Sequence, residues 1–306
     1  MAVLGPTATG KSALGIRLAR TYDGEIVNCD STAVYRRFDI GTDKVPADEQ
    51  GGIAHHLVDV VEPTAVYSAA QFARDAAARI REISARGRLP LLVGGTGFYF
   101  RALIEGLFDG PGRDDAVRTR LHGRAVRHGV EHLHRILHRV DPRSAGRIMP
   151  RDENRLIRAL EVWMLTGKPL SAHFGETRPP LPEYDVCVIG LRLPSEDIAT
   201  RVARRVEQQW ARGVVQEVRD NLTSGVPREA NPFRGLVYRQ ILEMLDGVRD
   251  DAETRALIVR ENKQYARRQL TWFRKEPRVV WLTGAGERDE TFAAARALIE
   301  SYGACR

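Results

Sequence analysis

The sequence predicts an α/β fold in which a parallel sheet is flanked by helices and interrupted by an all-helical insertion. Strand and helix patterns alternate along the first third of the chain, and this βαβ rhythm is typical of a parallel sheet. From Asp114 to Gly175 only helical patterns occur, and a strand pattern returns at Val186–Leu191. We therefore divide the chain into a core, residues 1–112 and 183–306, and a helical insertion, residues 113–182.

The elements of the core follow from local patterns. Short apolar runs predict the strands Ala2–Leu4, Glu25–Cys29, His56–Val61, Leu89–Val93, Val186–Leu191 and Val279–Leu282. A helix is expected from the end of the first loop to about Thr21. Ser68 is a plausible N-cap for a second helix, which ends near Arg86-Gly87. Glycine and proline clusters at 110–112 and 179–182 are expected to close the two ends of the insertion.

The composition excludes several classes of protein. The chain has 306 residues, of which 43% are hydrophobic and 28% charged, as in globular proteins rather than disordered or fibrous ones. No apolar run approaches the roughly 20 residues that span a bilayer, and no secretory signal is visible. Cys29, Cys187 and Cys305 are far apart, which argues against a disulfide framework or a zinc cluster. We expect a cytoplasmic protein with no membrane partner.

Positive charge is concentrated in two segments. The chain carries a net charge of +7, but residues 113–178 hold 14 basic and 8 acidic side chains, a net +6. Residues 255–278 hold 8 basic and 2 acidic side chains, again +6, so the remainder is acidic. This distribution favours a polyanionic partner such as nucleic acid. The alternative is a set of solvated, arginine-rich helix faces.

The first loop matches the phosphate-binding pattern G-x-x-x-x-G-K-[ST]. It consists of Gly5, Pro6, Thr7, Ala8, Thr9, Gly10, Lys11 and Ser12. In this pattern glycines let backbone N–H groups face phosphate oxygens, the lysine adds a charge, and the serine can bind Mg²⁺. The loop lies between a predicted strand and a predicted helix, as the pattern requires. A nucleoside triphosphate is the default ligand, although any pyrophosphate ester fits.

Two further segments follow predicted strands and are expected at the same edge of the sheet. Asp30 and Ser31 follow the second strand, where a carboxylate faces the ligand crevice of such a sheet. Asp30 could bind Mg²⁺, act as a general base, or only cap a helix. Gly94-Gly95-Thr96 follows a later strand, and its glycines permit close backbone approach. A tight turn without a functional role is the alternative there.

Basic and aromatic side chains interleave in both positive segments. Arg155 and Arg158 lie three residues apart on one helix face. Near the second segment's end, Trp272 and Phe273 are surrounded by Arg267, Arg268 and Arg274. Such interleaving suits phosphate contact and base stacking. The alternative is an amphipathic helix whose arginines extend along apolar surface.

Together these stretches resemble the tRNA dimethylallyltransferase (tRNA isopentenyltransferase) family, in its bacterial type. The matching stretches are GPTATGKSAL, VNCDSTAVYRRFDIGTDK, HHLVDVVEP, YSAAQFARDA, LLVGGTGFYFRAL, DPRSAGRI, NRLIRALEV and QYARRQLTWFR. They occur in family order over nearly the whole chain. The resemblance implies a P-loop NTPase-like core, dimethylallyl diphosphate as donor, and the N6 atom of the adenosine at tRNA position 37 as acceptor.

The resemblance also implies roles for single residues. The loop Gly5–Ser12 would bind the donor diphosphate, with Lys11 facing the leaving group and Mg²⁺ near Ser12. Asp30 would be the general base, and Thr96 would line the channel beside the reacting atoms. The positions matching tRNA contacts are Asp30, Ser31, Thr32, Ala33, Thr96, Arg118, Asn154, Arg155, Arg158, Arg234, Tyr238, Arg239, Arg267, Arg268, Gln269, Trp272 and Arg274. No obligate protein partner is implied, and a monomer is expected.

The chain departs from the family pattern at a few places. Thr32-Ala33 stands where the family often has Met-Gln, and Val237 where it usually has glycine. The stretch Gly41-Thr42-Asp43-Lys44-Val45-Pro46 stands where the family commonly reads G-T-A-K-P. These departures affect the expected acceptor contacts and leave the P-loop, Asp30 and Thr96 untouched.

Three other functions fit parts of the sequence. A small-molecule kinase would explain the P-loop and the βαβ core, but not the two positive segments. A non-enzymatic nucleic-acid-binding NTPase needs an apolar strand that ends in aspartate, and Asp59 lies inside its predicted strand. An isopentenyltransferase acting on free adenylate would not need a long cationic surface.

Overall fold

The structure is a computed structural model that describes residues 1–175 and 177–304. A six-stranded, wholly parallel sheet forms the centre of the core, in the order β3-β2-β4-β1-β5-β6. The strands are β1 (Ala2–Leu4), β2 (Gly24–Cys29), β3 (His55–His56), β4 (Leu89–Gly94), β5 (Val188–Arg192) and β6 (Val279–Thr283). The predicted α/β fold class with a parallel sheet is confirmed.

Twelve α-helices lie within the described residues. They are α1 (Lys11–Thr21), α2 (Ala69–Ala85), α3 (Gly97–Ile104), α4 (Asp115–His128), α5 (Val130–Val140), α6 (Pro142–Ala145), α7 (Glu153–Thr166), α8 (Ser195–Ala211), α9 (Val214–Thr223), α10 (Tyr238–Leu245), α11 (Asp251–Phe273) and α12 (Asp289–Ala304). Short 3₁₀ turns occupy Leu170–Gly175 and Asn231–Arg234. Ser68 caps α2 as predicted, because its side chain accepts a hydrogen bond from the backbone of Gln71. None of the helices described here is long and apolar enough to cross a bilayer.

The sheet brings the three predicted site segments to one edge. β1 lies between β4 and β5, with Leu4 opposite both Gly94 and Gly190. β2 pairs with β4 so that Cys29 is opposite Gly94. Because all strands are parallel, the residues that follow β1, β2 and β4 emerge side by side at their carboxyl ends.

The predicted strand His56–Val61 is wrong beyond its first residue. Leu57 and Asp59 have φ values of 61° and 55°, a left-handed backbone that a strand cannot contain. The chain therefore turns away after His56, and the N–H groups of Val60 and Val61 bond to the carbonyl oxygen of Val34 instead of to β2. The apolar residues that suggested a strand belong to this irregular segment.

Residues Glu105–Pro179 form a second compact unit made of helices α4 to α7, with no strand among the described residues. Its own apolar core includes Leu133, Leu137, Leu156 and Leu160, each at most 1% exposed. The glycine and proline clusters predicted limits for the insertion at residues 113 and 182. The unit instead begins directly after α3.

The first unit contains a second apolar cluster beside the sheet, built by α8 to α11. Phe38 meets Phe233 and Tyr238 edge-on, at ring-centroid distances of 5.0 and 4.9 Å. Val237 precedes α10 with φ 76° and ψ −61°, an unfavourable backbone conformation for a β-branched residue. This is one of the positions where the chain departs from the family pattern.

Candidate functional site

A cavity of about 600 Å³ opens at the carboxyl edge of the sheet. It is bordered by the P-loop (Gly5–Ser12), by Asp30, which follows β2, and by Gly95, which follows β4. Side chains of α8 and α11 complete its wall. The lining residues used below are Thr7, Lys11, Ser12, Asp30, Asp43, Gly95, Arg205, Tyr265 and Gln269.

The P-loop takes a shape that a side chain at Gly10 would prevent. Gly10 has φ 83°, and a Cβ there would lie 2.7 Å from the backbone nitrogen of Gly286. The Thr9 hydroxyl donates to the carbonyl oxygen of Pro6 at 2.9 Å and closes the turn. Helix α1 begins at Lys11, directly after Gly10, so its N-terminal N–H groups and its dipole are positioned for an anion.

Lys11 is the cation of this loop. Its Nζ donates to the carbonyl oxygen of Pro6 at 2.6 Å. Burial, reinforced by the nearby Arg205, lowers the pKa of Lys11 to about 8, although Asp30 and Asp43 oppose the shift. An anionic ligand would offer Lys11 a stronger partner than a backbone carbonyl.

Asp30 is oriented by the residues around it rather than by a helix. Its Oδ1 accepts from the backbone nitrogen of Thr32 at 2.9 Å and from the Thr32 hydroxyl at 2.6 Å. The Asn28 side chain accepts from the Asp30 nitrogen at 3.2 Å. Among the described residues, Oδ2 has no hydrogen-bond donor, so one carboxylate oxygen remains available to accept a proton. The side chain closes a turn, and the helix-capping alternative is wrong.

Thr96 lies beside Asp30 because β2 and β4 are neighbours. Its Oγ1 accepts from the backbone nitrogen of Ser31 at 3.0 Å and lies 3.4 Å from the Ser31 hydroxyl. A Cβ at Gly94 would lie 2.1 Å from the carbonyl oxygen of Cys29, so glycine is required for this close approach. The structure thus brings together the three segments that the sequence analysis singled out.

Gln269 connects two of these segments from α11. Its Oε1 accepts from the backbone nitrogen of Thr7, and its Nε2 donates to the carbonyl oxygen of Gly95, both at 2.8 Å. The side chain is only 7% exposed. Gln269 was expected to contact tRNA, but its side chain holds the P-loop and the Thr96 loop together.

Arg205 and Tyr265 were not identified from the sequence. Arg205 donates to the Thr7 hydroxyl at 2.8 Å and pairs with Asp43 at 2.9 Å. Tyr265 faces the cavity near Asp30, and burial together with that carboxylate raises the pKa of its phenol. Arg205 lies in α8, an arginine-rich helix of ordinary appearance, so no local pattern distinguished it. Tyr265 does fall within a stretch that resembles the family.

Two of the expected RNA-contacting arginines hold a buried carboxylate in the helical unit. Arg118 contacts both oxygens of Glu161, at 2.7 and 3.0 Å, and Arg158 donates to one of them at 2.7 Å. Glu161 is 0% exposed. Burial opposes its ionisation, but hydrogen bonds from these arginines and from the Asp114 backbone lower the pKa of Glu161 to about 2. Arg155, on the same helix, is exposed, as is Asn154.

Three residues in or near α10 were expected to contact tRNA, and some of them are exposed whereas others are buried. Tyr238 is 1% exposed, and its hydroxyl bonds to the backbone of Gly41 and to Glu217. Its assignment as a tRNA contact is therefore wrong for this structure, because the ring is enclosed by apolar side chains. Arg239 pairs with Glu261 at 2.6 Å, whereas Arg234 is exposed.

Helix α11 borders a second cavity, of about 670 Å³, which Pro6 also lines. Its basic lining residues are Arg260, Lys263, Arg267 and Arg274, and among the described residues none of the four has a carboxylate within ion-pair distance. Arg260 and Lys263 were not identified from the sequence, although they lie at helical spacing ahead of Arg267.

The aromatic side chains of α11, Trp272 and Tyr265, pack against neighbouring residues instead of extending into solvent. The Trp272 ring lies against Gly97, and Arg101 is 5.0 Å above it. Arg268 lies 5.8 Å from the centre of the Tyr265 ring. Stacking of an RNA base on Trp272 would therefore require Arg101 to move.

The oxygen donors of the first cavity suit a magnesium ion. Ser12 is exposed at the start of α1, and the carboxylates of Asp30 and Asp43 border the same space. No group of three or more His, Cys, Asp or Glu side chains arranged for a metal occurs in the described part of the chain. Mg²⁺ commonly takes one or two protein ligands and completes its shell with water and phosphate. The donor set therefore fits Mg²⁺ bound together with a phosphate ligand.

Comparison with known proteins gives a consistent result. Residues 33–276 match the family model described as IPP transferase. A tRNA dimethylallyltransferase of Solibacter usitatus is 45% identical over 290 residues, which cover 95% of this chain and 94% of the relative. One from Acidothermus cellulolyticus is 46% identical over 297 residues, covering 95% and 91%.

Solved structures agree with the relatives. The tRNA isopentenylpyrophosphate transferase of Bacillus halodurans is 35% identical, with a TM-score of 0.72 over 98% of this chain and 95% of that one. A eukaryotic dimethylallyltransferase acting on tRNA is 26% identical, with a TM-score of 0.83 over 100% of this chain and 79% of that one.

Proposed function

The chain belongs to the IPP transferase family, whose relatives here are tRNA dimethylallyltransferases, and from this premise we propose the reaction that its cavity supports. It is a prenyltransferase that modifies tRNA. A dimethylallyl group passes from dimethylallyl diphosphate to N6 of the adenosine at position 37, next to the anticodon. The bond from the donor carbon to the diphosphate oxygen breaks, the new C–N bond forms, and diphosphate and a proton are released.

The P-loop is the proposed site of the donor diphosphate. Backbone N–H groups at the start of α1, Lys11 and Arg205 all face the cavity at this point. Negative charge grows on the diphosphate as its bond to carbon breaks, and fixed cations and amides stabilise that charge. Mg²⁺ held at Ser12 would supply further charge neutralisation for the leaving group.

Asp30 is the proposed general base. An exocyclic adenine amine is a weak nucleophile because its lone pair is delocalised into the ring. A carboxylate within hydrogen-bond reach can take its proton as the C–N bond forms. The observation that carries this role is the free Oδ2 of Asp30, since Oδ1 is held by Thr32. Thr96, beside it, can orient the acceptor amine.

The acceptor adenosine has to leave the anticodon-loop stack to reach this cavity. Unstacking costs a few kcal/mol and is least costly for an unpaired base. Contacts between RNA phosphates and exposed cations would offset that cost. The exposed candidates are Arg155, Arg234, Arg260, Lys263, Arg267 and Arg274. A monomer acting on tRNA in the cytoplasm remains part of the proposal.

One labelling experiment tests the proposed reaction against its alternatives. The protein is incubated with Mg²⁺ and dimethylallyl diphosphate labelled in the dimethylallyl group, together with tRNA or with AMP. Label in tRNA, located at adenosine 37, supports the proposal. Label in AMP alone would favour transfer to free adenylate. No transfer from dimethylallyl diphosphate, with consumption of ATP in a parallel incubation that contains ATP, would favour the kinase.

A further inference from the structure

The carboxylate of Asp43 lies near Lys11 and Arg205, the cations of the cavity proposed to bind the donor diphosphate. Asp43 has φ 58°, in the left-handed region that aspartate tolerates better than most residues. This conformation occurs in the loop that borders the P-loop cavity, and the Asp43 carboxylate pairs with Arg205 at 2.9 Å. A negative charge at this position repels a diphosphate unless a metal ion lies between the two.

The same guanidinium contacts the P-loop. One arm of Arg205 donates to the Thr7 hydroxyl at 2.8 Å, and the other arm meets Asp43. Asp43 is also close enough to Lys11 to raise the pKa of that amine, against the larger effect of burial. The carboxylate thus acts on both cations that are proposed to bind the diphosphate.

The loop that carries Asp43 is held by other bonds. Lys44, whose side chain is 6% exposed, pairs with Asp39 at 2.6 Å and with Asp59 at 2.5 Å. The Thr42 hydroxyl donates to the carbonyl oxygen of Phe38, and the Asp43 nitrogen donates to that of Ile40 at 3.1 Å. Removing the Asp43 carboxylate should therefore leave the loop in place.

We propose that Asp43 is an internal competitor for the donor diphosphate. Its carboxylate occupies Arg205 when the site holds no donor, and the diphosphate takes its place on binding. When diphosphate is released as product, Asp43 returns to Arg205 and favours its departure. This inference rests on the proposed function, because it requires a diphosphate ligand at the P-loop.

The strength of the competition can be estimated from the exposure of the pair. The Arg205 and Asp43 side chains are 31% and 36% exposed. Ion pairs of this kind are usually weak, so displacing one should reduce ligand affinity by roughly threefold to tenfold. A diphosphate carries more charge than one carboxylate, and it can therefore displace Asp43 from the guanidinium.

The test is direct binding of two probes, inorganic diphosphate and dimethylallyl diphosphate, measured by calorimetry in Mg²⁺. Asp43→Asn and Asp43→Ala should each bind both probes about threefold to tenfold more tightly than the wild-type chain. Asp48→Asn is the matched control, since it removes an exposed carboxylate of the same loop that does not border the cavity. Its affinities should stay at the wild-type values.

A double-variant comparison separates competition for Arg205 from other effects. In an Arg205→Ala background, Asp43→Ala should no longer improve binding substantially, because the shared partner is gone. Affinities that are unchanged or weaker in both Asp43 variants would overturn the inference, and weaker binding would instead make Asp43 a supporting ligand of Mg²⁺ or diphosphate. The labelling of tRNA by the wild-type chain is independent of these results. Normal labelling with no effect at Asp43 would refute only the inference, whereas absent labelling would refute the proposed function.

Discussion

Replacing Gln269 tests whether the two loops of the reaction site depend on one side chain. Gln269→Met keeps the length and approximate volume of the side chain and removes both hydrogen bonds. The variant leaves the Thr7 N–H and the Gly95 carbonyl without their 2.8 Å partners. We expect the P-loop and the Thr96 loop to lose their fixed separation, so that the donor and the acceptor amine no longer meet in line.

The size of the effect follows from these two bonds. A buried polar group that loses its partner costs about 1–3 kcal/mol, and water from the cavity can reach the Thr7 side more easily than the Gly95 side. We expect a loss of about 2–4 kcal/mol in the free energy of unfolding. Misplacement of reacting groups by about 1 Å can cost about 10²-fold in rate, so the single-turnover rate should fall by a similar factor.

The assay pairs a denaturant midpoint with single-turnover transfer to tRNA at saturating donor and tRNA. Gln240→Met is the matched control, because Gln240 is 0% exposed, donates to Glu261 at 2.8 Å and does not border the cavity. It should lose comparable stability and keep nearly its full rate. Equal rates in the two variants under conditions where both are folded would refute a positioning role for Gln269.

Four further outcomes are expected. Asp30→Asn should lower the single-turnover rate by about 10²–10⁴-fold with little change in tRNA affinity; a rate within a few-fold of wild type would remove Asp30 as the base. Lys11 carries its charge in the free protein below about pH 8, so donor affinity should fall as the pH rises through 8, and a Lys11→Ala variant with the same pH profile would contradict this. Arg155→Ala should reduce the salt dependence of tRNA binding by about one phosphate contact with unchanged stability. Arg158→Ala should instead destabilise the helical unit by about 1–3 kcal/mol, because Glu161 is left with fewer partners. Equal effects of Arg155→Ala and Arg158→Ala on thermal unfolding would contradict the assignment of a structural role to Arg158 alone.

The lowered pKa of Lys11 also predicts how the stability of the folded chain changes with pH. Its pKa is lowered from 10.5 in the unfolded chain to about 8 in the folded one. Between these values the unfolded chain binds more protons, so this group makes folding more favourable as the pH rises through that window. Donor affinity and this contribution to stability should therefore change in opposite directions above pH 8.

Much of the site could be predicted from the sequence because its segments are local. The P-loop, Asp30 and Thr96 each follow an apolar strand, and parallel strands place such residues at one edge. The prediction of a strand at His56–Val61 was wrong because the backbone conformation of single residues interrupts it. A short apolar run indicated extended backbone, whereas the φ values at Leu57 and Asp59 are positive.

The roles of single arginines and of Gln269 could not be predicted, because they depend on distant partners. Arg118 meets Glu161 across 43 positions of sequence, and Gln269 meets Thr7 across 262. A charge pattern shows that a helix is basic, but not which of its arginines is already paired. The exposed charges and the paired ones look alike until the fold is known.

The position of β1 has a consequence for the order in which a growing polypeptide can complete its sheet. β1 is three residues long and pairs with β4 on one side and β5 on the other. β4 ends at Gly94, and β5 begins only at Val188. At a synthesis rate of about 5–20 residues per second, several seconds pass during which β1 has one open edge. The helical unit, which has its own apolar core, is completed during that interval.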